Sequence, residues 1–107
     1  MIIELREYYL KPNSREQFIE IMEEHILPFL TNKKEIVFLG SFTTEEDPDK
    51  YIWIRGFKDT AHREQYYAEI SEDPYWKAVI TPKYEPILIR EKKKVTLLKG
   101  TATSPIK

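Results

Sequence analysis

Apolar and polar residues alternate along this chain in two different rhythms. Residues 2–10 are β-rich, with Ile2, Ile3, Tyr8 and Tyr9 among them, and Lys11-Pro12-Asn13 closes the stretch as a turn. Ser14 and Gln17 stand at capping-box spacing, and Phe18, Ile21, Met22, His25 and Phe29 follow at the i, i+3, i+4, i+7, i+11 positions of one helix stripe. Pro28, late in that helix, predicts a kink or break, because its ring displaces the Glu24 carbonyl. Residues 36–43 and 51–57 read as two strands joined by the polar loop 45–50. Asp59 or Thr60 can cap a second helix running to about Ile70. Asp73-Pro74 restarts it, and Pro82 and Pro86 end it. Ile87–Arg90 and Val95–Leu98 are the last apolar segments, separated by the charged run Glu91–Lys94.

The order β-α-β-β-α-β predicts an α+β fold: a ferredoxin-like sandwich with a four-stranded antiparallel sheet and both helices on one face. Residues 1–99 form the expected domain, and 100–107 a flexible tail. Strands covered on one side only should alternate apolar and polar residues. Residues 36–39 and 51–54 are apolar at successive positions instead, so both faces carry large apolar groups. A second copy of the same sheet is the simplest cover, which predicts a homodimer joined through its sheet faces.

Composition narrows the chemistry. The net charge of −1 speaks against nucleic acid as a partner, and no apolar run approaches the length of a membrane span. The absence of cysteine removes disulfides and thiolate ligands and is compatible with a cytoplasmic location. His25 and His62 have no partner at i+3 or i+4, and there is no glycine-rich phosphate loop, so no metal and no cofactor is expected.

What remains is polar residues inside apolar strands. Glu4, Arg6 and Tyr8 share one face of the first strand, and Trp53, Arg55 and Phe57 one face of the third. These strands are central neighbours in the split-βαβ sheet, so the two sets can converge. A buried arginine must be paired or face a cavity. One reading is a small-molecule pocket between sheet and helices. There Glu4, Arg6 and Arg55 meet the ligand, Tyr8, Trp53 and Trp76 form walls, and His25 moves a proton. The other is a structural Glu4–Arg6 or Glu4–Arg55 pair at the sheet edge or in the dimer seam. Arg63 is expected to anchor the loop at Asp59, with an acidic group in the seam as its alternative partner.

The opening Ile3-Glu4-Leu5-Arg6-x-Tyr8, the pair Gly40 and Phe42, the run Asp47 to Phe57, Arg63, Pro74-x-Trp76-Lys77 and Val95-x-Leu97-Leu98 resemble the NIPSNAP family. The likeness extends from about residue 2 to residue 99, and Trp-x-Arg-Gly-Phe is its most specific part. It implies a dimeric α/β-barrel, two ferredoxin-like sheets face to face with helices outside. It supplies no reaction. The wider superfamily includes cofactor-independent monooxygenases and small-molecule binding proteins, so cofactor-independent oxygenase or isomerase chemistry on a carbonyl or phenolic compound is one expectation. A non-enzymatic dimer for binding or assembly is the other. Residues 82–94 depart from the family pattern, and no pocket role is assigned to them.

Overall fold

A computed structural model describes residues 1–107. Strand β1 (Ile2–Tyr9) leads into helix α1 (Arg15–Ile21), a π turn (Met22–Ile26) and helix α2 (Leu27–Lys33). Strands β2 (Val37–Thr43) and β3 (Lys50–Phe57) form a hairpin, followed by helix α3 (Thr60–Ile70). A second π turn (Trp76–Ile80), a short helix α4 (Thr81–Tyr84) and a 3₁₀ turn (Arg90–Lys92) lead to strand β4 (Lys94–Leu98). The sheet order is β2-β3-β1-β4, all antiparallel, so β1 and β3 are the central neighbours, as the ferredoxin-like reading requires.

The first helix departs from its expected stripe for a definable reason. Its buried positions are Phe18, Ile21, Met22, Ile26 and Leu30, so the last two fall one residue later than His25 and Phe29. The intervening π turn supplies the extra residue: Leu27 N–H donates to the Met22 carbonyl, an i→i−5 bond, and each later side chain is carried round by one position. The same wider turn seats Pro28 at the start of α2, so the helix resumes where a break was expected. Thr81 N–H reaches back to the Trp76 carbonyl in the same way. Pro82 therefore opens α4 instead of ending the helical stretch.

Other local expectations divide. Asp59 caps α3 by accepting from His62 N–H at 2.8 Å, and Asp73 accepts from Trp76 N–H at 3.0 Å. Ser14 does not cap α1 with its side chain; its hydroxyl turns back to the Pro12 carbonyl instead. Ile87–Arg90 is not a strand. After Pro86 only the Leu10–Leu88 bridge forms, and the chain then coils into the 3₁₀ turn.

The core lies between sheet and helices. Tyr8, Tyr51, Trp53 and Phe57 from the strands pack against Phe18, Met22, Ile26, Leu30, Tyr66 and Ile80 from the helical segments. Each such side chain contributes about 1.5–3 kcal/mol on burial. On the opposite face Leu5, Ile52 and Ile54 are only half-buried, while Phe42 and Leu98 are exposed. Residues 100–107 do not run straight out from this face. They turn at Thr101–Ser104, and Ile106 shares a hollow with Ile3, Phe42, Ile54 and Leu98.

Candidate functional site

The register of β1 against β3 sets Glu4 opposite Arg55 and Arg6 opposite Trp53, all on the helix side. Glu4 is fully buried, Arg55 is 2% exposed and Arg6 is 6% exposed, so each needs partners inside the protein. Glu4 has four. Oε1 accepts from Arg55 Nε at 2.7 Å and Arg6 Nη1 at 3.0 Å. Oε2 accepts from Arg63 Nε at 2.8 Å and the Tyr67 hydroxyl at 2.8 Å. That fills the lone-pair sites of an ionised carboxylate. Burial by itself would raise the Glu4 pKa; the guanidinium of Arg55, the bond from Arg63 and the charge of Arg6 outweigh it and hold the group at about 2. Both pairs considered from the sequence are therefore present together. They sit in the interior beneath α3 on the two central strands, away from the sheet edge, and Arg63 joins them instead of anchoring the loop at Asp59.

The arginines are in turn tied to tyrosines. Arg6 Nε donates to the Tyr8 hydroxyl at 2.8 Å, and its Nη1 also reaches Tyr67 at 3.0 Å. Arg55 Nη1 donates to Tyr66 at 3.2 Å and Nη2 to Tyr67 at 3.0 Å. The Arg55 guanidinium carbon lies 4.8 Å from the Tyr66 ring centroid and 5.1 Å from that of Trp53, within cation–π range.

A cavity of about 80 Å³ opens beside this network. Arg6, Tyr8, Trp53, Arg55 and Tyr66 form its polar wall. Phe18, Met22, Ile26, Leu30, Trp76 and Leu88 contribute apolar surface, and Tyr84, Arg90 and Lys93 complete the lining. Its polar groups are donors with little to bind. Trp53 Nε1–H is buried and has no acceptor. Tyr8 and Tyr66 each accept from an arginine, and their own O–H groups find no acceptor in the protein. Burial raises the Tyr66 pKa against the opposing pull of Arg55, which keeps that hydroxyl a donor near neutrality. No carboxylate lines the cavity.

The structure thus brings together Arg6, Tyr8, Trp53, Arg55 and Trp76, with Glu4 directly behind them. It sets His25 elsewhere, half-buried on the outer side of the π turn in a surface groove with Phe29, Lys34, Asp73 and Tyr75. Sequence reading missed Tyr66 and Tyr67, whose adjacent positions on α3 serve Arg55 from two sides. It also missed Tyr84, Leu88, Arg90 and Lys93, from the stretch given no pocket role. The unpaired basic residues after Pro86 were the available signal. No group of three or more His, Asp or Glu side chains converges in a metal-binding arrangement.

The NIPSNAP family profile matches residues 3–105. This chain belongs to the NIPSNAP family. Among curated proteins none matches it. A NIPSNAP family protein of unknown function from Agrobacterium tumefaciens is 22% identical, with a TM-score of 0.85 over 100% of this chain and 94% of that one. A NIPSNAP domain protein from Burkholderia xenovorans is 24% identical, with a TM-score of 0.83 over 98% and 99% of the two chains. A candidate antibiotic biosynthesis monooxygenase from Nitrosomonas europaea is 12% identical, with a TM-score of 0.65 over 94% and 98%. At these identities the likeness is one of fold, and it places this NIPSNAP chain in the α+β, ferredoxin-like class. No helix of this NIPSNAP chain is long and apolar enough to cross a membrane.

Proposed function

We propose that this NIPSNAP protein is a homodimer whose subunits each hold a small-molecule pocket between sheet and helices. The pocket takes a compact ligand through an acceptor oxygen. The observation that carries this reading is the buried Trp53 Nε1–H without an acceptor, in the wall it shares with Tyr8 and Tyr66. A buried donor left unpaired costs about 1–3 kcal/mol, and an incoming oxygen recovers it. Donors fixed around one oxygen also favour charge developing there, the requirement for forming an enolate or phenolate. That supports isomerase or cofactor-independent oxygenase chemistry on a carbonyl or phenolic compound. No proton transfer is routed through His25, which lies outside the cavity.

The homodimer rests on the open sheet face, where Leu5, Ile52, Ile54, Phe42 and Leu98 stay wholly or partly exposed. A two-fold contact would bury the same patch on both copies.

The pocket is tested by following the Trp53 indole ¹⁵N–¹H signal, assigned by its loss in Trp53→Phe, during titration with small carbonyl, phenolic and carboxylate compounds. A saturable shift for one of these classes is expected. A signal indifferent to all of them refutes the pocket. A second reading, a non-enzymatic assembly protein with purely structural arginine pairs, is favoured by the saturation of Glu4, and that null titration would leave it standing.

A further inference from the structure

The charges around the cavity are one-sided. Arg6, Arg55, Arg90 and Lys93 line it, and the nearest anion, Glu4, is already shared among Arg6, Arg55 and Arg63. Arg90 and Lys93 form no salt bridge with any carboxylate of the chain, the neighbouring Glu91 included. Although Lys93 as a residue is exposed, partial burial on its cavity side, reinforced by Arg6 and Arg90, lowers its pKa despite the opposing influence of Tyr8. A cation held near other cations, with no counter-ion, is relieved by an incoming anion.

The lining is also graded in depth. Trp53, Tyr8, Tyr66, Arg6 and Arg55 are buried, the two arginines already paired with Glu4, whereas Arg90 and Lys93 are exposed residues and mark the rim. The inner donors suit an uncharged oxygen, and the rim suits a carboxylate. The volume limits the ligand further. About 80 Å³ is well below the roughly 300–1,000 Å³ of pockets for drug-sized ligands.

We propose that the ligand is a short 2-oxo acid, its carboxylate held at the rim by Arg90 and Lys93, its carbonyl oxygen turned inward to Trp53, Tyr8 and Tyr66. Such an acid carries its two polar groups on adjacent carbons, one for the inner donors and one for the outer cations. This inference rests on the pocket reading above and names the class of compound the pocket selects.

The test compares sodium pyruvate with acetone, its neutral counterpart, on the Trp53 indole signal of the full chain. Pyruvate is expected to bind at least about tenfold more tightly, with an affinity that falls as salt rises, because the rim is exposed and its charges are screened. Arg90→Gln with Lys93→Gln should remove that advantage and bring pyruvate down to the affinity of acetone; both residues are exposed, so the fold is not at risk. Equal affinities for acetone and pyruvate, or a double variant that keeps the preference, overturn the 2-oxo acid while the pocket reading survives. A Trp53 signal that no charged or neutral probe moves overturns both.

Discussion

Replacing Glu4 by Gln tests the site at its centre. The carboxylate is fully buried and receives four hydrogen bonds, three from guanidinium groups. The amide keeps one acceptor oxygen and presents N–H donors where the other oxygen stood. Either Arg6 and Arg55, or Arg63 and Tyr67, then face donor against donor, and the buried guanidinium charges lose their counter-ion. Breaking a buried ion pair from one side costs about 3–5 kcal/mol. In a domain of this size each kcal/mol lowers Tm by roughly 4–8 °C, so a fall of more than about 12 °C is expected by circular dichroism at fixed protein concentration. Acid unfolding gives an independent check. The carboxylate pKa falls from 4.5 to about 2 on folding. Because the folded value lies below the unfolded one, the stabilisation is complete above about pH 4.5 and disappears as pH falls through about 2. The shift corresponds to at most about 3 kcal/mol at neutral pH. Glu4→Gln should flatten this part of the stability-versus-pH curve. A variant within about 1 kcal/mol of the parent, or with its acid limb unchanged, would show that the four-fold arrangement does not carry the energy assigned to it.

Further outcomes follow from other parts of the fold. Ile54→Lys, on the open sheet face, should convert the proposed dimer to a folded monomer in light scattering; a monomeric parent chain removes the dimer proposal outright. Asp59→Ala removes the α3 cap and should cost about 0.5–2 kcal/mol in urea unfolding, against no change if the Asp59–His62 bond is not formed in solution. Met22→Ala, fully buried beside the cavity, should cost about 2–5 kcal/mol, and a loss under 1 kcal/mol would contradict the packing described. His25→Ala should leave the Trp53 titration unchanged, since the imidazole lies outside the cavity.

The sheet was legible because strand residues obey a two-residue period that survives loops of any length. Glu4, Arg6 and Tyr8 were thus placed on one face of β1, Trp53 and Arg55 on one face of β3, and the neighbouring of β1 and β3 brought the two sets together. The helices were less legible. A π turn adds one residue without changing composition, so nothing in the pattern 18, 21, 22, 25, 29 told that its last two members should move to Ile26 and Leu30. That shift moved His25 out of the site. The partners of the arginines were hidden for a different reason. Tyr66 and Tyr67 are adjacent in sequence, and helix periodicity assigns adjacent residues to different sides. Both meet Arg55 because the guanidinium is long enough to reach two directions at once. Lys93 looked like part of a solvated charge run until the 3₁₀ turn brought it to the cavity rim.

The two π turns bear on how the length of this chain can vary. Each holds a residue beyond what a regular helix of the same span requires, and each stands just before a proline that seats its ring in the widened turn. Shortening Glu23–His25 by one residue would let the backbone relax to ordinary α geometry with Ile26 and Leu30 still on the buried stripe. The same deletion in β1 would flip every later side chain to the opposite face of the sheet. Gaps within these helices therefore come at a far lower structural cost than gaps in the strands. The bulged turns are places where a lineage can gain or lose a residue and still keep the same side chains turned toward the core.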